Sequence, residues 1–155
     1  GTALVENGAH VPDLADLTDQ QRQQPPTYVP NRNMMLLAIA AAFAEANGAT
    51  EVYYGAQALD EYGYWDCTTA FLERMNNVLA LNRNKPVRVC APFVTMSKAD
   101  SLRLGIELGL DYAHTWSCYR GEESPCLTCP TCVERQNAFA AVGLPDPLVE
   151  KIRRP

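Results

Sequence analysis

"MMLLAIAAAFAEANGATEVYYGA", residues 34–56, carries the chain from a helix into a strand, and the fold turns on that passage. From Met34 to Ala44 apolar residues occupy nearly every helical face, which predicts a helix buried on most sides. Gly48 stands where a C-terminal cap needs a residue free to turn left-handed. "EVYYGA" follows at once, short and rich in β-formers, and reads as a strand.

The same alternation continues downstream. "TTAFLERMNNVLAL" places Phe71, Leu72, Met75, Val78 and Leu79 at helical spacing. "PVRVCAPF" reads as a second strand, and Ser97 with Asp100 three positions on forms a capping-box pattern before a further helix. "TCVERQNAFAAVG" reads as a last helix closed by a glycine. Helix–strand–helix–strand–helix order implies an α/β fold with a parallel sheet and crossover helices. Two strands are few for such a sheet, so further sheet is expected before residue 1. Residues 1–27 mix proline, glutamine and aspartate without a sustained period and read as an irregular loop or flap.

Composition narrows the function. A chain of 155 residues with 47% hydrophobic content is long enough for one domain with a real core. A net charge of −5 argues against binding duplex nucleic acid, which leaves a basic footprint. No apolar run reaches the ~18 residues of a membrane span. The opening "GTALVENGAH" has none of the parts of a secretory signal, which places the six cysteines in a reducing cytoplasm. The first residue is Gly1 and not methionine, and a processed, tagged or truncated start is expected.

Four of those cysteines fall in "WSCYRGEESPCLTCPTC": Cys118, Cys126, Cys129 and Cys132, spaced C-x7-C-x2-C-x2-C. C-x2-C turns let two thiolates converge from one tight loop on a tetrahedral ion. Zinc is preferred over disulfides or unpaired thiols, and an iron–sulfur cluster is the third reading. Four protein ligands leave zinc no open position, so the sulfurs support the fold and do no chemistry. His114 is read as a surface or neighbouring group, and Cys90 as a small buried residue.

Two polar stretches invite a ligand. "YVPNRN" sets Arg32 between Asn31 and Asn33 just before a helix, where anions bind well; the bland alternative is that Asn33 caps the helix and Arg32 pairs with a carboxylate. "GAQALDEYGYWDC" follows a strand, where α/β sheets place their ligand crevice. There Asp60 and Asp66 can accept hydrogen bonds from a purine-like ring while Tyr64 or Trp65 stacks on it; the alternative is a loop packed by its own aromatics. Lys98 opens a helix, as a phosphate partner or as a solvated lysine.

In their order, "YVPNRN", "YYGAQALDEYGYWDC", "MSKADSLRLGIELGL", "TWSC", "PCLTCPTC" and "AVGLPDP" resemble the 7-cyano-7-deazaguanine synthases of the queuosine pathway across residues 28–147. The resemblance implies a Rossmann-like parallel sheet of the PP-loop ATP pyrophosphatase type with a small C-terminal zinc element. It implies conversion of 7-carboxy-7-deazaguanine and ammonia to the nitrile through an adenylate and an amide, with ATP as co-substrate and magnesium as activator. Carried over, Cys118, Cys126, Cys129 and Cys132 hold structural zinc. Arg32, Asn33, Asp60, Tyr64 and Asp66 surround the deazapurine acid, and Lys98 lies near phosphate. The implied organisation is an irregular segment 1–27, a substrate-side α/β part 28–113, and a zinc element with its helix 114–155.

Two departures stand out. The family's glycine- and serine-rich phosphate loop is absent from these 155 residues, so its half of the site is expected upstream or on a partner chain. Gln57 stands where an asparagine is expected, and Thr68 and Ala70 where an arginine and a glutamate are. The competing readings are an ATP-dependent amidating enzyme for another carboxylate and a non-catalytic zinc-stabilised interaction module. A homodimer is the other assembly that fits.

Overall fold

The computed structural model describes residues 2–5, 10–58 and 63–153. Its helices are α1 Asp19–Gln23, α2 Arg32–Ala46, α3 Thr69–Leu79, α4 Lys98–Glu107, α5 Pro130–Val142 and α6 Pro147–Arg153. Its strands are β1 Glu51–Tyr53 and β2 Arg88–Cys90, and they pair in parallel with Val52 opposite Val89. The chain is an α/β protein with a parallel sheet, as its alternation predicts. It divides into two compact units, Tyr28–Met96 and Gly1–Thr27 with Ser97–Pro155.

In the first unit α2 and α3 cover one face of the strand pair. Leu37, Phe71 and Val89 form the buried centre, with Val52, Tyr54, Leu72, Met75 and Leu79 packed around it. Ala41, Ala44 and Val87 extend the core along α2. Small alanines let the helix sit close to the strands, and Gly48 ends it at φ +74°, a conformation that favours glycine.

The expectation that α2 is buried on most sides does not hold. Only Leu37, Ala41 and Ala44 are buried, whereas Ile39 is 67% and Phe43 70% exposed, with Met35 and Leu36 beside them. An apolar helix face records that something covers it; here no described residue does.

The second unit joins the N-terminal segment to the C-terminal part. α4 begins at Ser97, whose side chain accepts from the Asp100 N–H while Asp100 returns to the Ser97 N–H, the anticipated capping box. Leu102 of α4 packs with Ala138 and Phe139 of α5. Gly105 makes room for Tyr112, whose hydroxyl would clash with an added Cβ. α6 was not foreseen from the sequence.

Residues 10–27 are more ordered than a flap. Val11 and Leu17 are buried, and Thr18 caps α1 in a reciprocal bond with Gln21. The Leu14 N–H donates to Thr128 O at 2.9 Å, joining this segment to the cysteine loop.

Candidate functional site

The cysteine cluster is built by a loop and a helix start. Cys129 is the N-cap of α5 and Pro130 its first residue, a position that tolerates a missing N–H. Cys132 follows in the first turn, where the helix dipole favours thiolate. Leu127 takes φ +64° inside the first C-x2-C turn, the bend that brings Cys126 back towards Cys129.

The four sulfurs lie within 4.8 Å of one another. A tetrahedral ion with thiolates at about 2.3 Å sets its sulfurs roughly 3.8 Å apart; Cys126 Sγ and Cys132 Sγ are 3.9 Å apart. Backbone amides are already aimed at sulfur: Cys129 N–H donates to Cys126 Sγ at 3.3 Å, and Cys126 N–H to Cys118 Sγ at 3.5 Å. Burial opposes ionisation of Cys126, but hydrogen bonds from the Cys129 and Thr128 backbone outweigh it and bring the thiol down to about 6. Burial pushes Cys132 up, and a cation in the centre would offset that. Cys118, Cys126, Cys129 and Cys132 carry free thiols, with no disulfide among them. The donor set, spacing and burial fit a metal ion with no ligand position left over.

The N-terminal segment closes over this centre. Val11, 5% exposed, packs on Cys118, Cys129 and Cys132. Arg120 donates to Val11 O at 2.9 Å and to Asp13 Oδ1 at 2.5 Å. Hydrogen bonds from Thr128 and then Arg120 hold the Asp13 carboxyl below its usual range. His114 is 72% exposed and faces Asp111, consistent with a surface group.

In the other unit, Asp66 is buried, 2% exposed. Its Oδ2 accepts the Asn33 backbone N–H at 3.3 Å, so Asp66 caps α2 from a distance in sequence. Asn33 does not cap its own helix; its Nδ2 donates to Cys67 Sγ at 3.4 Å. Asn31 is the N-cap in a left-handed conformation with no side-chain cap bond. Arg32 makes no ion pair among the described residues.

Tyr64 lines a cavity of about 400 Å³ with Gln57, Trp65, Cys67, Thr68 and Val94 among its walls. That volume lies in the range of small-molecule sites. Trp65 is held by a bond from its Nε1 to the Tyr28 hydroxyl at 2.9 Å and by edge contact with Phe71. Asp60 lies outside the described residues. Sequence reasoning missed Tyr54: its hydroxyl is buried without a partner among the described residues. Burial, then nearby Cys67 and Asp66, push it up to about 12. An alternating strand residue next to a glycine was the available signal.

Lys98 lies in the second unit and pairs with Glu134. The Lys98 side chain is 45% exposed and that of Glu134 12%. No described helix is long and apolar enough to cross a membrane.

Residues 1–143 match the family described as queuosine biosynthesis protein QueC. Curated relatives named 7-cyano-7-deazaguanine synthase match most of the chain. The one from Psychromonas ingrahamii is 45% identical over 148 residues, 96% of this chain and 66% of the relative. That from Archaeoglobus fulgidus is 52% identical over 124 residues, 79% of this chain and 52% of the relative. That from Caldicellulosiruptor bescii is 47% identical over 151 residues, 97% of this chain and 67% of the relative. The chain thus spans between about half and two thirds of the length of these curated relatives.

Proposed function

The chain belongs to the queuosine biosynthesis protein QueC family, and on that footing we propose that it supplies the deazapurine-binding and zinc-stabilised part of a 7-cyano-7-deazaguanine synthase. The observation that carries the reading is the match over residues 1–143 together with relatives that all bear that one name. The reaction takes 7-carboxy-7-deazaguanine, ATP with magnesium, and ammonia. A carboxylate is a poor electrophile; adenylation makes its oxygen a leaving group, ammonia then gives the amide, and a second activation leads to the nitrile. The fold assigned is the PP-loop pyrophosphatase type.

Within this scheme the cavity beside Tyr64 receives the ring, and Arg32 and Asn33 face the acid. Asp66 serves by fixing Asn33 and the start of α2, a role that its burial supports. Asp60 keeps its assignment to the ring. Lys98 exchanges Glu134 for phosphate. Cys118, Cys126, Cys129 and Cys132 bind zinc, which supplies structural cross-linking only. The setting we assign is a reducing cytoplasm, which suits thiols kept for a metal. The phosphate-binding segment comes from polypeptide outside these 155 residues, in cis or on another chain.

The test is product mass. The chain, complemented with the part of the Caldicellulosiruptor bescii relative that lies outside the match, is given acid, ATP, magnesium and ammonia. Appearance of the nitrile and its amide precursor supports the reading; an unchanged acid in the presence of an intact complex rejects it.

A further inference from the structure

The start of α2 presents backbone amides that a helix cannot satisfy within its own first turn. Asp66 takes the Asn33 N–H, and the residue before it reaches the same helix start by a second route. The Trp65 indole Nε1–H donates to the Tyr28 hydroxyl at 2.9 Å, and the Asn31 N–H donates to that same oxygen at 3.2 Å. Trp65 and Asp66 are neighbours in the short helical turn Trp65–Cys67, so one turn is fastened twice to the start of α2.

That turn is also a wall of the cavity, where Tyr64, Trp65, Cys67 and Thr68 line it. Thr68 is committed within the fold: its hydroxyl donates to Trp65 O at 2.8 Å and accepts the Phe71 N–H at 3.2 Å. This holds the Trp65 backbone. The indole itself, 43% exposed, is held by Tyr28 and by edge contact with Phe71 at 5.4 Å. An indole has one donor and no acceptor, so the Tyr28 oxygen fixes the direction in which its ring edge points. A bond this exposed adds little to folding, because water replaces it when it is cut. What it decides is where a flat aromatic face stands.

We propose that Tyr28 is a positioning residue for the ring site: its hydroxyl holds the Trp65 indole as a stacking face at a set place relative to Arg32 and Asn33. A flat ring bearing an acid is then read as one piece, the ring by the indole and the acid by the start of α2, because both are tied to one oxygen atom. Tyr28 is not among the residues that line the cavity, and it acts through Trp65. The identity of the ligand rests on the proposed function; the Tyr28–Trp65 bond does not.

The test grows the chain with 5-fluorotryptophan, which marks Trp65 and Trp116, and complements it with the unlabelled part of the Caldicellulosiruptor bescii relative that lies outside the match. In fluorine NMR spectra Tyr28→Phe should shift and broaden the Trp65 line and leave the Trp116 line in place. Added 7-carboxy-7-deazaguanine should move the Trp65 line of the parent, and Tyr28→Phe should weaken its affinity roughly fivefold, the weight of one neutral hydrogen bond. Trp65→Phe, read by calorimetry, should weaken it too, and Tyr28→Phe should add nothing in that background. The urea midpoint of Tyr28→Phe should match that of the parent. An unchanged Trp65 line, or losses that add in the double variant, overturns the proposal. So does an affinity loss accompanied by a matching fall in the urea midpoint. If the acid moves no line in the parent while Tyr28→Phe still moves that of Trp65, the positioning of the indole stands and the proposed function fails.

Discussion

The Asp66 carboxylate accepts the backbone N–H of Asn33 at 3.3 Å, tying the turn before α3 to the first turn of α2. A carboxylate 2% exposed at a helix start satisfies an orphan amide and meets the positive end of the dipole. Asp66→Ala should lower stability by roughly 1–2 kcal/mol, the range for a lost cap. Asp66→Asn should recover part of that loss. Urea midpoints measure both; an unchanged midpoint for Asp66→Ala would return the residue to direct ligand contact.

Tyr54→Phe removes a buried hydroxyl that has no partner among the described residues, so at neutral pH it should leave stability unchanged or raise it by about 1 kcal/mol. The pH dependence has a definite sign. The folded value near 12 lies above the ordinary 10.0, so the phenol favours the folded state below pH 10 and that preference is lost as pH rises from 10 through 12. Thermal melts at pH 9 and 11.5 should show a smaller alkaline loss for Tyr54→Phe than for the parent. An equal loss would mean that other groups govern that range.

The cysteine centre should hold one zinc per chain. Elemental analysis should give a one-to-one ratio, and Cys129→Ser should lose the metal together with the tertiary signal of its unit. Binding energies on the order of 10 kcal/mol make such a loss decisive for a small element. Iron in place of zinc, or full folding of the metal-free protein, would contradict the assignment.

Val11 and Arg120 cover that centre, and their removal should expose it. Val11→Ala discards part of a burial worth about 2 kcal/mol, and Arg120→Ala releases Val11 O and Asp13. Both variants should pass zinc to a chromogenic chelator several-fold faster than the parent, with unchanged stoichiometry. Identical transfer rates would show that residues 10–13 lie on the centre without guarding it.

Elements whose signal is local were legible in the sequence. The Ser97–Asp100 box, the Gly48 stop, both strands and the C-x2-C spacing depend on neighbours a few positions apart. What stayed hidden depends on partners far along the chain. Val11 has no periodic context, and its burial is set by cysteines more than a hundred positions away. Lys98 gave no sign of Glu134, and Asp66 gave none of Asn33. The α2 stripe misled for the opposite reason: an all-apolar helix records how much must be covered, not which polypeptide covers it.

The central proposal is that this chain supplies the acid-binding part of an ATP-dependent site whose phosphate-binding part is carried by other polypeptide. Pyrophosphate release from ATP, at matched magnesium, tests it most directly when the chain is assayed alone and when joined to the third of the Caldicellulosiruptor bescii relative that lies outside the match. The account predicts no release from the chain alone, with or without the acid and ammonia, and acid-dependent release from the joined protein. Release at the same rate from the chain alone would contradict it.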